Sequence, residues 1–310
     1  MPNAEAAHAK AQTMNIKTLF RLSKSAFANW QADYAPSMGA ALSYYTVFSI
    51  APLLVIVIAV AALIFGQDVA HAAIIDQAGG LIGENGAKAL EGMLASAQKP
   101  KQGMVASVLG IVALIVGATT VFSEIESNLN RIWKVELEKT SGWWHFVRTR
   151  LLSFGLVLAI GFLLIVSLVV SAGIAVWGKY WSGWFGGVEA VLHAVNFVVS
   201  VGVITVLFAM IYKFMPRVQI RWRDVWIGAF VTSALFSVGK FLIGLYIGKS
   251  GVESSYGAAG ALVVLLVWVY YSAQIFLLGA EFTKVYAESQ GSRKSLKTDT
   301  VRTAAIPTRA

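Results

Sequence analysis

One stretch decides the fold: MGAALSYYTVFSIAPLLVIVIAVAALIFG, residues 38–66, which contains no charged side chain. A helix needs about 20 consecutive apolar residues to cross the hydrocarbon core of a bilayer, which is about 30 Å thick. Backbone polar groups inside lipid must be satisfied within the segment itself, so an apolar run of this length favours a helix. The stretch therefore predicts a transmembrane helix.

Five further apolar runs follow along the chain, near residues 104–122, 151–177, 190–214, 225–248 and 259–280. The composition agrees with them, since 57% of the residues are hydrophobic and only 13% are charged. A soluble domain carries about 25% charged residues. We therefore predict an all-α, polytopic membrane protein with six transmembrane helices.

The positive charges predict the orientation of these helices. Most of the 25 lysines and arginines lie in the two tails and in the second and fourth gaps between the runs. The gaps on the other side hold only Lys88, Lys99, Lys101, Lys179 and Lys249. Because cytoplasmic loops carry the excess of lysine and arginine, both termini are predicted to be cytoplasmic. The net charge of +9 is then a consequence of topology, and no nucleic-acid partner is expected.

The runs divide the chain into a cytoplasmic N-terminal tail (1–37), a transmembrane domain (38–280) and a cytoplasmic C-terminal tail (281–310). In the first tail, residues 16–35 place apolar side chains at helical spacing among three cations. This pattern predicts an amphipathic helix on the anionic headgroups of the inner leaflet.

The long gap 67–103 is the only sizeable segment between the predicted spans. Its apolar residues Leu90, Met93 and Leu94 lie on one face of a helix, whereas Gly79–Gly80 and Gly83 mark breaks. We predict a small periplasmic helical cap on the bundle.

Polar side chains gather near the cytoplasmic ends of the predicted spans. They define a candidate polar path that comprises Tyr44, Tyr45, Glu124, Asn128 and Glu281. Two interpretations of the acidic residues, Glu126 included, are open. They either pair with the arginines of the fourth gap and lock the inner rim, or they line a cytoplasmic vestibule.

Two other residues within the runs are unusual. Pro52 lacks an N–H and displaces the carbonyl group of Phe48, so a helix kink is predicted there. Neighbouring hydroxyl groups either satisfy that carbonyl or form a polar pocket. Lys240 is the only cation well inside a run, because Lys213 stands at the end of its run and is counted with the fourth gap. Insertion of Lys240 costs about 2.5–3.5 kcal/mol unless it is paired, neutralised or extended towards the interface. It is either functional or it snorkels to the outer headgroups.

Patterns of enzymatic sites are missing from the sequence. The chain has no cysteine, and its four histidines are isolated. Zinc-binding HExxH spacing, a GxSxG nucleophile turn and a phosphate-binding Walker loop do not occur. We expect no catalytic residue, no metal and no cofactor, and therefore a protein that is not an enzyme.

Several stretches resemble the YihY/BrkB family of bacterial inner-membrane proteins. They are ALSYYTVFSIAPLL (41–54), ATTVFSEIESNLNRIWKVE (118–136), MPRVQIRWRDVWIGAF (215–230) and YGAAGALVVLLVWVYYSAQIFLLGAEFTKVYA (256–287). The resemblance extends from about residue 17 to residue 288, and its motifs occur in the expected order. It implies a multi-pass protein of the inner membrane, with Glu281 as the acid of the family's GAE motif and Pro52 as its first-span proline.

The resemblance suggests transport or lipid translocation, with an unknown substrate and with membrane lipids, including anionic headgroups of the inner leaflet, as partners. A homo-oligomer is compatible with the sequence. A first alternative is a non-transporting scaffold of an envelope complex, which would dock through residues 67–103. A second alternative is a tRNA-processing ribonuclease, a function suggested by an older family label and by the basic inner face.

Overall fold

A computed structural model of the chain describes residues 16–97, 104–135, 188–250 and 260–293, together with Gly155. These four ranges contain seven helices and no β-strand. The helices are α1 (Ile16–Ala32), α2 (Ala35–Phe65), α3 (Gln67–Ala97), α4 (Met104–Ile132), α5 (Val188–Phe214), α6 (Trp222–Ser250) and α7 (Gly260–Ser289). The predicted third span, 151–177, lies outside the described residues except for Gly155.

Four of the described helices are long and apolar enough to cross a membrane. The segments are Ala35–Leu63 in α2, Phe197–Phe214 in α5, Trp222–Tyr246 in α6 and Leu262–Ser289 in α7. They correspond to four of the six predicted spans. Helix α4 begins where the second span is predicted and continues beyond the predicted end of that span to Ile132. Its last turns contain charged and amide side chains and are still helical.

Helix α7 lies at the centre of the described bundle and packs against α1, α2, α3, α4 and α6. It runs antiparallel to α2, since Gly39 contacts Gln274 whereas Val47, further along α2, packs with the earlier residue Leu265. The main apolar core is formed by α2, α4, α5, α6 and α7, and includes Leu42, Phe122, Leu129, Tyr212, Val225 and Leu277.

The crossing of α6 and α7 is close because glycines face threonines in both directions. A β-carbon on Gly228 would lie 1.8 Å from Thr283 Oγ1, and one on Gly279 would lie 2.0 Å from Thr232 Oγ1. Each threonine hydroxyl donates to a carbonyl of its own helix, so both hydroxyl groups are satisfied within the crossing. Small residues four positions apart are typical of tightly packed helices in membranes.

Helix α3 is not straight. A β-carbon on Gly79 would lie 3.6 Å from the β-carbon of Ala87, whereas residues eight positions apart in a straight helix are separated by about 12 Å along the axis. Ala70 and Leu94, near the two ends of α3, likewise belong to one apolar cluster on α2. The helix therefore folds back on itself, at the glycines that the sequence predicts as breaks.

Pro52 does not interrupt α2, which is helical from Ala35 to Phe65. A β-carbon on Gly117 of α4 would lie 3.0 Å from Pro52 Cγ, so this glycine leaves room for the proline ring. The hydroxyls of Ser43 and Thr46 donate to carbonyl oxygens one turn earlier in α2, at 2.7 Å each.

Candidate functional site

The turn between α1 and α2 places an acidic residue inside the bundle. It consists of Asp33 and Tyr34, and Tyr34 adopts a left-handed backbone conformation with φ 58° and ψ 39°. This conformation is uncommon for a bulky residue, and it ends α1 and separates it from α2. Asp33, only 7% exposed, is thereby fixed against the ends of α4 and α7.

Asp33 has a basic partner and an acidic neighbour. The ammonium group of Lys134, just after α4, donates a hydrogen bond to Asp33 Oδ1. The carboxyl of Glu281 in α7 is the acidic neighbour, and the two carboxyl groups interact electrostatically. The site therefore joins the α1–α2 turn, α4 and α7.

Glu281 is fully buried, with 0% of its surface exposed. Neither of its carboxyl oxygens receives a hydrogen bond from an N–H or hydroxyl group of the described residues. The nearest ammonium group, Lys284 Nζ, lies 4.0 Å from Glu281 Oε2. Two carboxyl groups in contact disfavour double ionisation, and burial strengthens that effect.

The electrostatics at Asp33 favour its ionised form. Burial raises the pKa of the Asp33 carboxyl, but hydrogen bonds from Lys134 and Glu281 and the charges of Lys134 and Lys284 oppose it. The net result is an Asp33 pKa below its usual value. At this site Asp33 is thus the anion that its neighbours stabilise.

Two amide side chains extend this polar group into the bundle. Gln274 precedes Glu281 by two helical turns on the same face of α7, and both of its side-chain polar atoms are buried without a described partner. Gly39 of α2 provides its space, because a β-carbon there would lie 2.0 Å from Gln274 Nε2. Asn128 of α4 is 4% exposed, and its Nδ2 likewise has no described acceptor.

The rim beside this group is locked by a different acid. Arg217 Nε donates to Glu126 Oε1 at 2.7 Å, and the Arg217 backbone N–H donates to Asn130 Oδ1 at 2.8 Å. These bonds attach the connection between α5 and α6 to α4. Pairing with the fourth-gap arginines therefore applies to Glu126, whereas Glu281 contacts the α1–α2 turn.

The structure brings together only part of the predicted polar path. Glu281 and Asn128 are buried at the same end of the bundle, and Glu124 lies partly exposed one turn before Asn128 on the same face of α4. Tyr44 and Tyr45 are separate from this group. They are exposed on α2, where Tyr44 contacts the rings of Tyr45 and Phe48.

Lys240 lies on the exposed side of α6, apart from the buried polar group. This position fits the snorkelling interpretation, since an exposed lysine stem reaches the interface without crossing the bundle. Among the described residues, no group of three or more His, Asp or Glu side chains is arranged to hold a metal ion.

Sequence reasoning missed Asp33, Lys134 and Gln274. One signal for Asp33 was present, because it is the only acidic residue between Glu5 and Asp68 and directly precedes the first span. Gln274 gave a weaker signal, as an amide in an otherwise apolar run. Lys134 gave none, since it resembles every other cation of the rim.

The chain is similar to known bacterial membrane proteins. A family model described as virulence factor BrkB matches residues 26–303. A UPF0761 membrane protein of Tolumonas auensis is 31% identical over 60% of this chain and 59% of its own length. UPF0761 membrane proteins of Ralstonia nicotianae and Alkalilimnicola ehrlichii are 27% and 29% identical over 86% and 85% of this chain, and over 58% of their own lengths. The chain thus spans less than two thirds of these relatives.

No solved structure matches the chain. The names of these three relatives state a membrane location and no activity, and nothing in them supports a ribonuclease specifically. The apolar helices agree with that location. The family match covers most of the chain, and it confirms the resemblance found in the sequence. The chain belongs to the YihY/BrkB family of multi-pass proteins of the bacterial inner membrane.

Proposed function

We propose that this protein is a transporter or lipid-translocating factor of the inner membrane, and that its polar path runs between α2, α4 and α7 past Gln274, Asn128 and Glu281. The observation that supports it is that α4 and α7, which pack in one apolar core, each bury polar side-chain atoms without a described partner. Buried polar groups in native proteins almost always have hydrogen-bond partners, which protein, water or a ligand supplies.

The free-energy cost of burying ionisable side chains in this bundle supports a functional role for them. Ionisable residues within membrane segments are expensive and typically mark pathways for ions or substrates. Glu281 lies within the apolar segment Leu262–Ser289 of α7, and Asp33 directly precedes α2. A purely structural role would be served at lower cost by apolar residues of similar volume.

The proposal includes six spans with both termini in the cytoplasm, as the lysine and arginine distribution predicts. Asp33, Lys134 and Lys284 then lie at the cytoplasmic end of the path. On the same side, α1 exposes Phe20 and Phe27 beside Lys17, Arg21 and Lys24, while Leu22 and Ala26 are buried against α7. Exposed aromatic rings among cations fit a surface with anionic lipid headgroups.

Thiol labelling in membranes tests the path directly, because the chain has no native cysteine. Asn128→Cys and Gln274→Cys should react with a small hydrophilic thiol reagent that travels through water. Ala229→Cys is the control, since Ala229 is buried and lies in the apolar core. If both path variants are as unreactive as this control, the path is closed to water and the proposal is wrong.

Complementation of a deletion strain tests whether the path matters for function. Glu281→Gln and Glu124→Gln should fail to restore the wild-type phenotype at equal expression, whereas Lys240→Gln should restore it. Full complementation by the two glutamate variants would contradict the transport proposal.

The scaffold alternative is distinguished by deletion of residues 67–97. Loss of co-purifying envelope proteins, together with an unchanged thiol reactivity at Asn128→Cys, would favour a scaffold that docks through α3. We propose no enzymatic activity for either role.

A further inference from the structure

Asp33 and Glu281 are neighbouring buried carboxyl groups, and one oxygen of Asp33 and both oxygens of Glu281 have no described hydrogen-bond partner. A carboxylate only accepts hydrogen bonds, whereas a protonated carboxyl group also donates one. Asp33 is 7% exposed and Glu281 is 0% exposed, so water competes poorly for either group. One proton between them satisfies a buried oxygen of each residue that otherwise has no described donor.

We propose that Asp33 and Glu281 together bind one proton, and that this pair is the proton-binding site of the transporter. The second half of this statement rests on the proposed function, whereas the first half depends only on the geometry of the site. The pair connects the α1–α2 turn to α7, the helix on which most of the described bundle packs.

Two ammonium groups set the charge around the pair. Lys134 engages Asp33 directly, and Lys284 lies 4.0 Å from Glu281, beyond hydrogen-bond distance. With one bound proton, Asp33 and Lys134 form a neutral ion pair and Glu281 is an uncharged acid. Lys284 then has no anion in direct contact among the described residues.

The other charged groups of the neighbouring helices are engaged elsewhere or exposed. On α4, Glu126 is bound to Arg217, and on α6 Asp224 accepts a hydrogen bond from the Ser292 backbone N–H at 2.8 Å. The cations of α1 are exposed, and α2 contains no charged residue. Helix α3 packs on the opposite half of α2. Within the described ranges, the charged groups that face the pair are accordingly Lys134 and Lys284.

Release of the proton exchanges one partner of Glu281 for another. The O–H bond of Glu281 breaks, the proton passes to water, and the carboxylate that remains attracts Lys284 across the 4.0 Å separation. Two anions now face each other in the contact between Asp33 and Glu281, and their repulsion separates them. The α1–α2 turn is thereby released from α7, which gives the bundle two states that differ by one proton.

Infrared spectroscopy of the full-length protein in lipid vesicles tests the site without any substrate. A protonated carboxyl group in an apolar environment gives a C=O stretching band that is separate from carboxylate bands. We expect this band in the wild-type protein, a loss of the band as pH rises, and its absence in Glu281→Gln. The control Glu126→Gln should retain it, because the Glu126 carboxylate is paired with Arg217.

A second variant keeps the test valid if Glu281→Gln does not fold. Asp33→Asn replaces the anionic acceptor by an amide. The C=O stretching band of protonated Glu281 should therefore shift in frequency, and the pH at which it disappears should change. Absence of the band in the wild-type protein, its presence in Glu281→Gln, or an unchanged band in Asp33→Asn would each overturn the proposal. Because this measurement is independent of thiol labelling, a failure of the proton site is distinguishable from a failure of the transport path.

Discussion

Thr232 and Gly279 touch so closely that a β-carbon on the glycine would lie 2.0 Å from the threonine hydroxyl oxygen. The reciprocal contact of Gly228 with Thr283 is equally close. We expect Gly279→Ala and Gly228→Ala to destabilise the packing of α6 on α7 by about 1–3 kcal/mol, as insertion of a methyl group into a full contact does. Thermal unfolding of the detergent-solubilised protein, followed by circular dichroism, measures the effect.

Gly244→Ala is the matched control, because Gly244 lies in the same helix α6 and a β-carbon there would have no neighbouring atom within 4 Å. Alanine is a better helix former than glycine, so this variant should be neutral or more stable by up to about 1 kcal/mol. Equal melting temperatures for Gly279→Ala and Gly244→Ala would show that the crossing is not tightly packed.

Tyr212 provides a buried hydrogen bond between α5 and α7. Its hydroxyl donates to the Phe276 carbonyl oxygen at 2.7 Å and lies 3.2 Å from Thr232 Oγ1. Tyr212→Phe should lower the free energy of unfolding by about 0.5–1.5 kcal/mol, the usual net value of such a bond. Tyr246→Phe, at an exposed position of α6, should leave the melting temperature unchanged. A smaller loss for Tyr212→Phe than for Tyr246→Phe would contradict this assignment.

Asp33 predicts how stability responds to acid. Because its pKa is lowered in the folded protein, its contribution to stability is present above the usual pKa of 3.8 and is lost as pH falls through the lower folded value. The wild-type protein should therefore lose stability in strongly acidic solution, and Asp33→Asn should lose less over the same interval. Unfolding midpoints measured at several pH values test this. Parallel pH profiles for the two proteins would show that Asp33 is not stabilised as an anion.

The proposed orientation makes a prediction for single cysteines placed in the cysteine-free chain. In spheroplasts, an impermeant maleimide should label the exposed position Ala95→Cys in α3, and should label Ser25→Cys and Gln219→Cys only after permeabilisation. In the predicted topology, Ala95 lies on the periplasmic side, whereas Ser25 and Gln219 lie on the cytoplasmic side. Labelling of Ser25→Cys in intact spheroplasts would place the N-terminal tail outside the cytoplasm.

The sequence predicts the helices well because apolar length is a local property. The run 38–66 corresponds to α2, and the glycines at 79–83 coincide with the fold-back of α3. The interaction of Glu281 with Asp33 is not local, because the two residues are distant in sequence, and so is the pairing of Asp33 with Lys134. Hydropathy assigns such residues to the rim and contains no information on which side chains turn inward. That information arises from the left-handed turn at Tyr34 and from the register of α2 against α7.

The fold-back of α3 has a consequence for sidedness. A hairpin enters and leaves at the same end of α2, so in the proposed topology it adds no net crossing and leaves α2 and the predicted second span in α4 as consecutive, oppositely directed helices. The contact of Pro52 with Gly117 agrees with that pairing. Relatives with a longer or shorter α3 hairpin would have the same number of membrane crossings. Every later segment of the chain would therefore stay on the same side of the membrane.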